Sequence, residues 1–295
     1  MMKRSDLLLG TAALGLFCAG TTHAEGLSPE ATDVAPLVPP VDGVPVAFLL
    51  SNSAVMIDFA GPWEVFQDAS IPGRSAAAFN LYTVAESTKP ITISAGAKLI
   101  PQYDFANAPS PKVVVVPAQS QATDAVKSWL RKTARTADVV MSVCTGAFVL
   151  ADAGLLDGLT VTTHHGSFST LAMQYPTLTV KRGVRFVDNG RIATSAGLSA
   201  GIDLAMHVVQ RYYGAEAARE TAYYMEYLSQ GWTNPKSNSL YGKPPAVAAG
   251  RALCPVCWMT VDPKTSPAST FKGKAYYFCM PAHKQAFDSA PDRFL

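Results

Sequence analysis

The chain has 295 residues and carries 24 Lys and Arg against 22 Asp and Glu, a net charge of +2. That length accommodates one sizeable domain plus something small. There is no basic block and no polybasic tail, so the electrostatic footprint of a nucleic-acid-binding protein is missing and no nucleic-acid partner is expected.

The N-terminus opens with Lys3-Arg4, continues through an apolar run from Leu7 to Gly20, and reaches Thr22-His23-Ala24. This is the order of a basic n-region, a short h-region and a small-residue cleavage site. The run is short for a bilayer span, which makes a membrane anchor the weaker alternative. Residues 1–24 are therefore expected to be a signal peptide cleaved after Ala24, leaving a soluble periplasmic protein without stable membrane insertion. Losing Lys3, Arg4 and Asp6 takes the net charge from +2 to +1. Residues 25–43, with Pro29, Pro36, Pro39 and Pro40, read as an extended lead-in.

From Val44 the pattern alternates between apolar runs and helical segments. The expected strands are 44–50, 79–85, 113–116, 139–143 and 159–163, with a strand or hairpin over 91–100. The expected helices are 61–69, opening with Pro62 in its first turn, then 124–134, a small-residue helix after Cys144 that stops at Gly154, and 167–174. Asp188-Asn189-Gly190 between 184–187 and 191–194 signals a hairpin turn. Helices over 200–213 and 215–227 follow. Continuous apolar strands alternating with helices imply an α/β fold, a doubly wound and mostly parallel sheet over residues 44–230. Residues 231–252, with Pro235, Pro244-Pro245 and Gly250, read as a linker. Residues 253–295 read as a separate module, too small to be held by an apolar core alone.

In such sheets ligands bind beyond the carboxyl ends of the strands. The strand patterns deliver Asp58, Pro117-Ala118-Gln119, Cys144-Thr145 and His164-His165 to that edge. Cys144 stands between a strand and a helix with no loop, a tight turn that exposes a side chain and favours a thiolate. A small buried cysteine is the alternative. Asp58 is a candidate acid or base, or else a helix N-cap. His164 is a candidate site residue, or else a structural histidine. His207, inside a helix, reads as core.

Asp58-Phe59-Ala60-Gly61-Pro62-Trp63-Glu64, the stretch from Cys144 to Gly158, Thr162-Thr163-His164 and Thr194-Ser195-Ala196-Gly197 together resemble the DJ-1/PfpI superfamily, over about residues 45–228. More closely, they resemble the branch that holds isonitrile hydratases and the amidase-like N-terminal domains of AraC-type regulators. The resemblance implies a flavodoxin-like sheet and a homodimer. It also implies Cys144 as nucleophile, Asp58 as the acidic partner that relays a proton, and Thr145 as a residue that orients substrate. The regulators of this branch bind DNA through a C-terminal helix-turn-helix, which this chain lacks. Two positions depart from the pattern: His165 replaces a Trp, and Ala118-Gln119 replaces a Gly-Gly whose backbone N–H faces the reacting centre. The expected chemistry is a cysteine-dependent hydratase or related lyase on a small carbon–nitrogen or carbonyl compound, with no organic cofactor.

Near the C-terminus Cys254-Pro255-Val256-Cys257 and Cys279-Met280-Pro281-Ala282-His283 supply four ligands of the kinds zinc takes. With Met259 and Met280 flanking them, the same thiolates suit Cu(I), which is the ion expected first, with zinc close behind. The alternative is a disulfide, Cys254–Cys257 or Cys257–Cys279. The segment resembles the YHS domain, related to TRASH domains, with His283 standing where that family carries Cys and Trp258 where it carries Gly. This resemblance implies a metal-associated module and leaves open a non-enzymatic role in copper or zinc handling or redox stress, with metal-handling proteins as partners.

Overall fold

The computed structural model describes residues 34–295. The expected signal peptide, 1–24, and the start of the lead-in fall outside the described residues.

In chain order the main body runs β1 (Val44–Leu49), α1 (Met56–Gln67), β2 (Phe79–Ala85), a hairpin of β3 (Ile91–Thr92) and β4 (Lys98–Leu99), β5 (Tyr103–Asp104), β6 (Val113–Val116) and α2 (Asp124–Thr133). It continues with β7 (Val139–Ser142), α3 (Gly146–Asp152), β8 (Thr160–Val161), α4 (Phe168–Gln174), β9 (Thr179–Val180), β10 (Phe186–Asp188), β11 (Ile192–Ser195) and α5 (Ala200–Tyr224). Seven strands form one sheet in the order β10-β11-β7-β6-β1-β2-β5. Every pairing in it is parallel except β10 with β11, which is antiparallel. The expected doubly wound, mostly parallel α/β architecture is therefore present.

The sheet is apolar on both faces because helices cover both. Val113 and Val115 face the cluster that holds Phe59, Phe66 and Leu204 from α1 and α5. Val114 and Val116 face the opposite cluster, with Leu130, Leu150 and Leu171 from α2, α3 and α4. Alternate side chains of one strand thus feed two cores. Each large side chain that is fully buried, such as Phe48 or Leu150, contributes about 1.5–3 kcal/mol. Helix α5 is broken at Gly214, where φ is 88° and ψ 168°. The two helices expected there meet at that residue, and the second ends at Tyr224.

Two expectations are corrected. Helix α1 begins at Met56 rather than at Gly61, so Pro62 lies inside it and Asp58 in its first turn. Pro62 forgoes one backbone hydrogen bond there, a cost that the burial of Phe59, Val65 and Phe66 on the same helix offsets. The 159–163 strand does not join the main sheet. Only Thr160–Val161 is extended, and it pairs in parallel with β9. The edge of β7 where it would have docked is taken by β11, all four of whose residues are buried.

The C-terminal segment carries β12 (Ala252–Leu253), β13 (Thr260–Val261), β14 (Ala268–Phe271), β15 (Lys274–Tyr277) and α6 (Pro281–Ser289). Its strands pair as two short antiparallel ladders. Its buried Val256, Phe278 and Phe287 belong to the same apolar cluster as Leu171 and Leu178 of the main body. Among the described residues no helix is long and apolar enough to cross a membrane.

Candidate active site and metal centre

The sheet order reverses on either side of β1, since β2 lies to one side and β6 to the other. A crevice opens beyond the carboxyl ends at such a switch point. Three elements deliver the site there. The first turn of α1 delivers Asp58, the residues after β6 deliver Ala118, and the turn after β7 delivers Cys144.

Cys144 adopts φ 58°, in the left-handed region. A non-glycine residue there costs about 1–3 kcal/mol and persists only where its surroundings hold it. They do. The Cys144 N–H donates to the Ala196 carbonyl at 3.1 Å. The Cys144 carbonyl accepts from Thr163 Oγ1 at 2.8 Å. The next turn has no room for a side chain: a Cβ on Gly146 would lie 2.2 Å from the Val116 carbonyl oxygen and 2.8 Å from that of Pro117. Glycine at 146 lets α3 start directly against the end of β6, and that sets the sharp turn at the cysteine.

Asp58 is fully buried, and Oδ2 accepts the Ala118 N–H at 3.2 Å. Its carboxyl also faces the Cys144 thiol. Oδ1 has no N–H or O–H partner among the described residues. The N-cap alternative is eliminated, because Val55 occupies that position. Burial raises the Asp58 pKa to about 6, against the lowering effect of the Ala118 and Cys144 hydrogen bonds.

The surroundings of Cys144 oppose the thiolate expected there. Burial, followed by the neighbouring Asp58 carboxylate, pushes the thiol up to about 11, although the backbone N–H groups of Thr145 and Leu198 favour the anion. Near neutral pH the pair thus holds one proton, on sulfur, with Asp58 as its acceptor.

Thr145, half-buried at the N-cap of α3, lines a cavity of about 360 Å³ with Gln119, Phe148, Asp152 and Tyr175. The Tyr175 hydroxyl donates to Asp152. Gln119 turns its side-chain oxygen to the end of β1, where Ser51 donates its N–H at 2.7 Å and its hydroxyl at 3.1 Å. The Ala118 N–H, which in the resembling family's pattern faces the reacting centre, is here engaged by Asp58.

His164 packs on Gly197, where a Cβ would lie 2.3 Å from its ring. Its Nδ1 accepts the Gly166 N–H at 3.2 Å, which places the proton of the neutral ring on Nε2. Burial and the adjacent His165 lower its pKa. Among the described residues no hydrogen bond joins His164 to Cys144 or Asp58. His207 is buried and lies 2.9 Å from Asp188 Oδ2, beside Arg211. Sequence reasoning missed Leu198, Thr163 and Gly146 as the groups that hold Cys144. All three lie inside or beside motifs it did single out.

The C-terminal cysteines and histidine converge. The donor atoms of Cys254, Cys257, Cys279 and His283 all lie within 4.8 Å of one another. His283 Nδ1 is 3.1 Å from Cys279 Sγ and 3.5 Å from Cys254 Sγ, and Cys257 Sγ is 3.4 Å from Cys279 Sγ. All four described cysteines are unbridged. A zinc ion with bonds of about 2.3 Å to sulfur and 2.0 Å to nitrogen sets donor separations of about 3.5–3.8 Å, so the cluster fits such an ion after adjustments of about 1 Å or less. Two turns build it. The Trp258 N–H donates to the Cys254 carbonyl at 2.7 Å and closes the first. Pro281 starts α6 between Cys279 and His283 and forms the second. The ring of His283 is oriented from outside the module: Nε2 donates to the Ala172 carbonyl at 2.9 Å. This leaves Nδ1 free to ligate, as metal-binding imidazoles require. Hydrogen bonding from Cys257 and His283 drives Cys254 down to about 3, while the same bond pushes Cys257 far above the ordinary thiol range.

An α/β sheet with an acid-paired cysteine on a strained strand-to-helix turn defines a class. The DJ-1/PfpI family matches residues 44–211, and the chain belongs to that family. Isonitrile hydratase of Pseudomonas putida is 32% identical over 188 residues, covering 62% of this chain and 78% of that protein. The HTH-type transcriptional regulator GbdR of Pseudomonas aeruginosa is 29% identical over 192 residues, covering 63% of this chain and 52% of the regulator. The chain therefore spans about half the regulator's length. Among solved structures, a THiJ/PfpI family protein from Pseudomonas syringae superposes with a TM-score of 0.55 at 23% identity, covering 71% of this chain and 84% of that one. DJ-1beta of Drosophila melanogaster gives 0.54 at 17% identity, covering 62% and 98%. These two likenesses bear on the fold alone.

Proposed function

We propose that the domain over 44–230 is a cysteine-dependent hydratase or related lyase acting on a small carbon–nitrogen or carbonyl compound. The observation that carries this is the buried Asp58 carboxyl facing the Cys144 sulfur. In the proposed step, sulfur bonds to the electrophilic carbon of the substrate while the thiol proton passes to Asp58. Asp58 then returns that proton to the atom that gained the electron pair. Water adds to the same carbon, and the carbon–sulfur bond breaks to restore the thiol. Thr145 and the cavity beside it orient the substrate. The relative named isonitrile hydratase makes isonitriles the first compounds to assay, with dicarbonyls second. Turnover by wild type that disappears in Cys144→Ser and Asp58→Asn supports the reading. No turnover by wild type on either class rejects it.

The second part of the proposal is a metal centre at Cys254, Cys257, Cys279 and His283. Zinc is the first ion to test, because the four donors complete a tetrahedral set without Met259, which is exposed. Cu(I) is the second, on the softness of three thiolates. If the first domain proves inactive, this centre favours the other reading, a metal-handling or redox-responsive protein. Export to the periplasm and a homodimer belong to the same proposal; cell fractionation and light scattering test them. On charge grounds the partner is a small molecule rather than nucleic acid, although regulators share this domain. A gel-shift assay with genomic fragments checks that point.

A further inference from the structure

One cation beside the metal cluster has no conventional partner. Arg182 follows β9 in the main body, inside the stretch matched by the DJ-1/PfpI family. Its guanidinium carbon sits 4.0 Å from the centre of the Trp258 ring and 5.7 Å from that of Phe168. Trp258 is the residue after Cys257. Arg182 Nη2 is buried without a hydrogen-bond partner, and no carboxylate pairs with this side chain among the described residues. Cys257 and Cys254 act on this guanidinium when they are ionised.

A buried cation costs free energy unless a counter-charge lies close by. A metal-loaded cluster supplies one. Three thiolates and a neutral imidazole around a divalent ion leave one net negative charge, which a single guanidinium cancels. We infer that Arg182 is the counter-charge of the metal centre, held over it by Trp258, so that the main body contributes a positioning residue to a site whose ligands all lie in the C-terminal module. This rests on the reading that the cluster binds a metal. Ser169 and Ala172 of α4 point the same way: Ser169 Oγ donates to the Cys257 carbonyl at 2.5 Å, and Ala172 orients His283. The centre is thus built jointly by both parts of the chain.

The test is zinc affinity of the full-length protein, measured by competition with a chromophoric chelator, for wild type, Arg182→Gln and Arg182→Lys. Loss of an outer group of this kind costs about 10–100-fold in affinity, and that loss is expected for Arg182→Gln. Arg182→Lys keeps the charge but loses the planar stacking on Trp258, so it should lose clearly less affinity than Arg182→Gln, a graded rescue that a packing role does not give. The Co(II) spectra of wild type and Arg182→Gln should match once each is saturated, because the four ligands are unchanged. Equal affinity in wild type and Arg182→Gln overturns the inference. An equal loss in both variants also overturns it. If Arg182→Gln does not fold, Arg182→Lys alone decides, and a loss of about tenfold or more in it counts against the inference. A wild-type protein that binds no zinc overturns both this inference and the metal-centre reading beneath it.

Discussion

Asp58, in the first turn of α1, and Cys144, at the end of β7, meet over the end of the sheet so that one buried carboxyl faces one sulfur. Asp58 is fully buried and Cys144 nearly so. Burial raises both groups' affinity for a proton; the Asp58 carboxylate raises that of Cys144 further, while the hydrogen bond from Cys144 partly offsets the rise at Asp58.

Stability should therefore depend on pH through Asp58. Its pKa is raised from 3.8 to about 6 on folding. The native state holds the proton more tightly than the unfolded chain, so stability falls as pH rises from about 4 to about 6 and stays reduced above that. A displacement of this size corresponds to about 3 kcal/mol. Asp58→Asn removes the cost. Urea denaturation should show the variant more stable than wild type at pH 8, with the difference shrinking towards zero near pH 4. A variant less stable than wild type at pH 8 would contradict this.

Gly146 allows the close approach of α3 to β6. Gly146→Ala forces a Cβ to within 2.2 Å of the Val116 carbonyl oxygen, and backbone must move to relieve it. A loss of about 1–3 kcal/mol is expected, as for overpacking elsewhere. Urea midpoints measure it. Because the displaced backbone leads into Cys144, the rate of alkylation at that residue should change as well. A midpoint equal to wild type would show that the turn has room after all.

The metal centre should hold residues 253–295 in place. Stripping the ion with a chelator, or replacing Cys279 by Ala, should lower the melting temperature and open this segment to protease, since the segment's own apolar groups are few for its length. His283→Ala should do the same and also release the bond to Ala172. Metal-free protein with an unchanged melt and a protease-resistant C-terminus would show that packing holds the segment instead.

Much of this was legible in the sequence. Four consecutive valines at 113–116 announced a strand buried on both faces, and Asp188-Asn189-Gly190 announced its hairpin. The spacing of Cys254, Cys257, Cys279 and His283 announced a cluster, because ligand pairs on tight turns are local features. What escaped were long-range partners. Nothing in the local sequence ties Arg182 to Trp258, Ala172 to His283 or Ala118 to Asp58. The short strand near Thr160 looked like a sheet member because periodicity cannot tell which edge is already occupied. The burial that opposes a thiolate at Cys144 escaped for a similar reason: its turn was visible in the sequence, whereas the depth of its burial was not.

Peptide-resolved alkylation of Cys144 by iodoacetamide across pH, in wild type and Asp58→Asn, tests the shared-proton pair most directly. In wild type the midpoint should lie above the free-thiol value of about 8.5. In Asp58→Asn it should fall by about one pH unit or more, because the neighbouring negative charge is gone. An identical midpoint in both proteins would show that Asp58 and Cys144 titrate independently, and the proposed proton transfer between them would then have no basis.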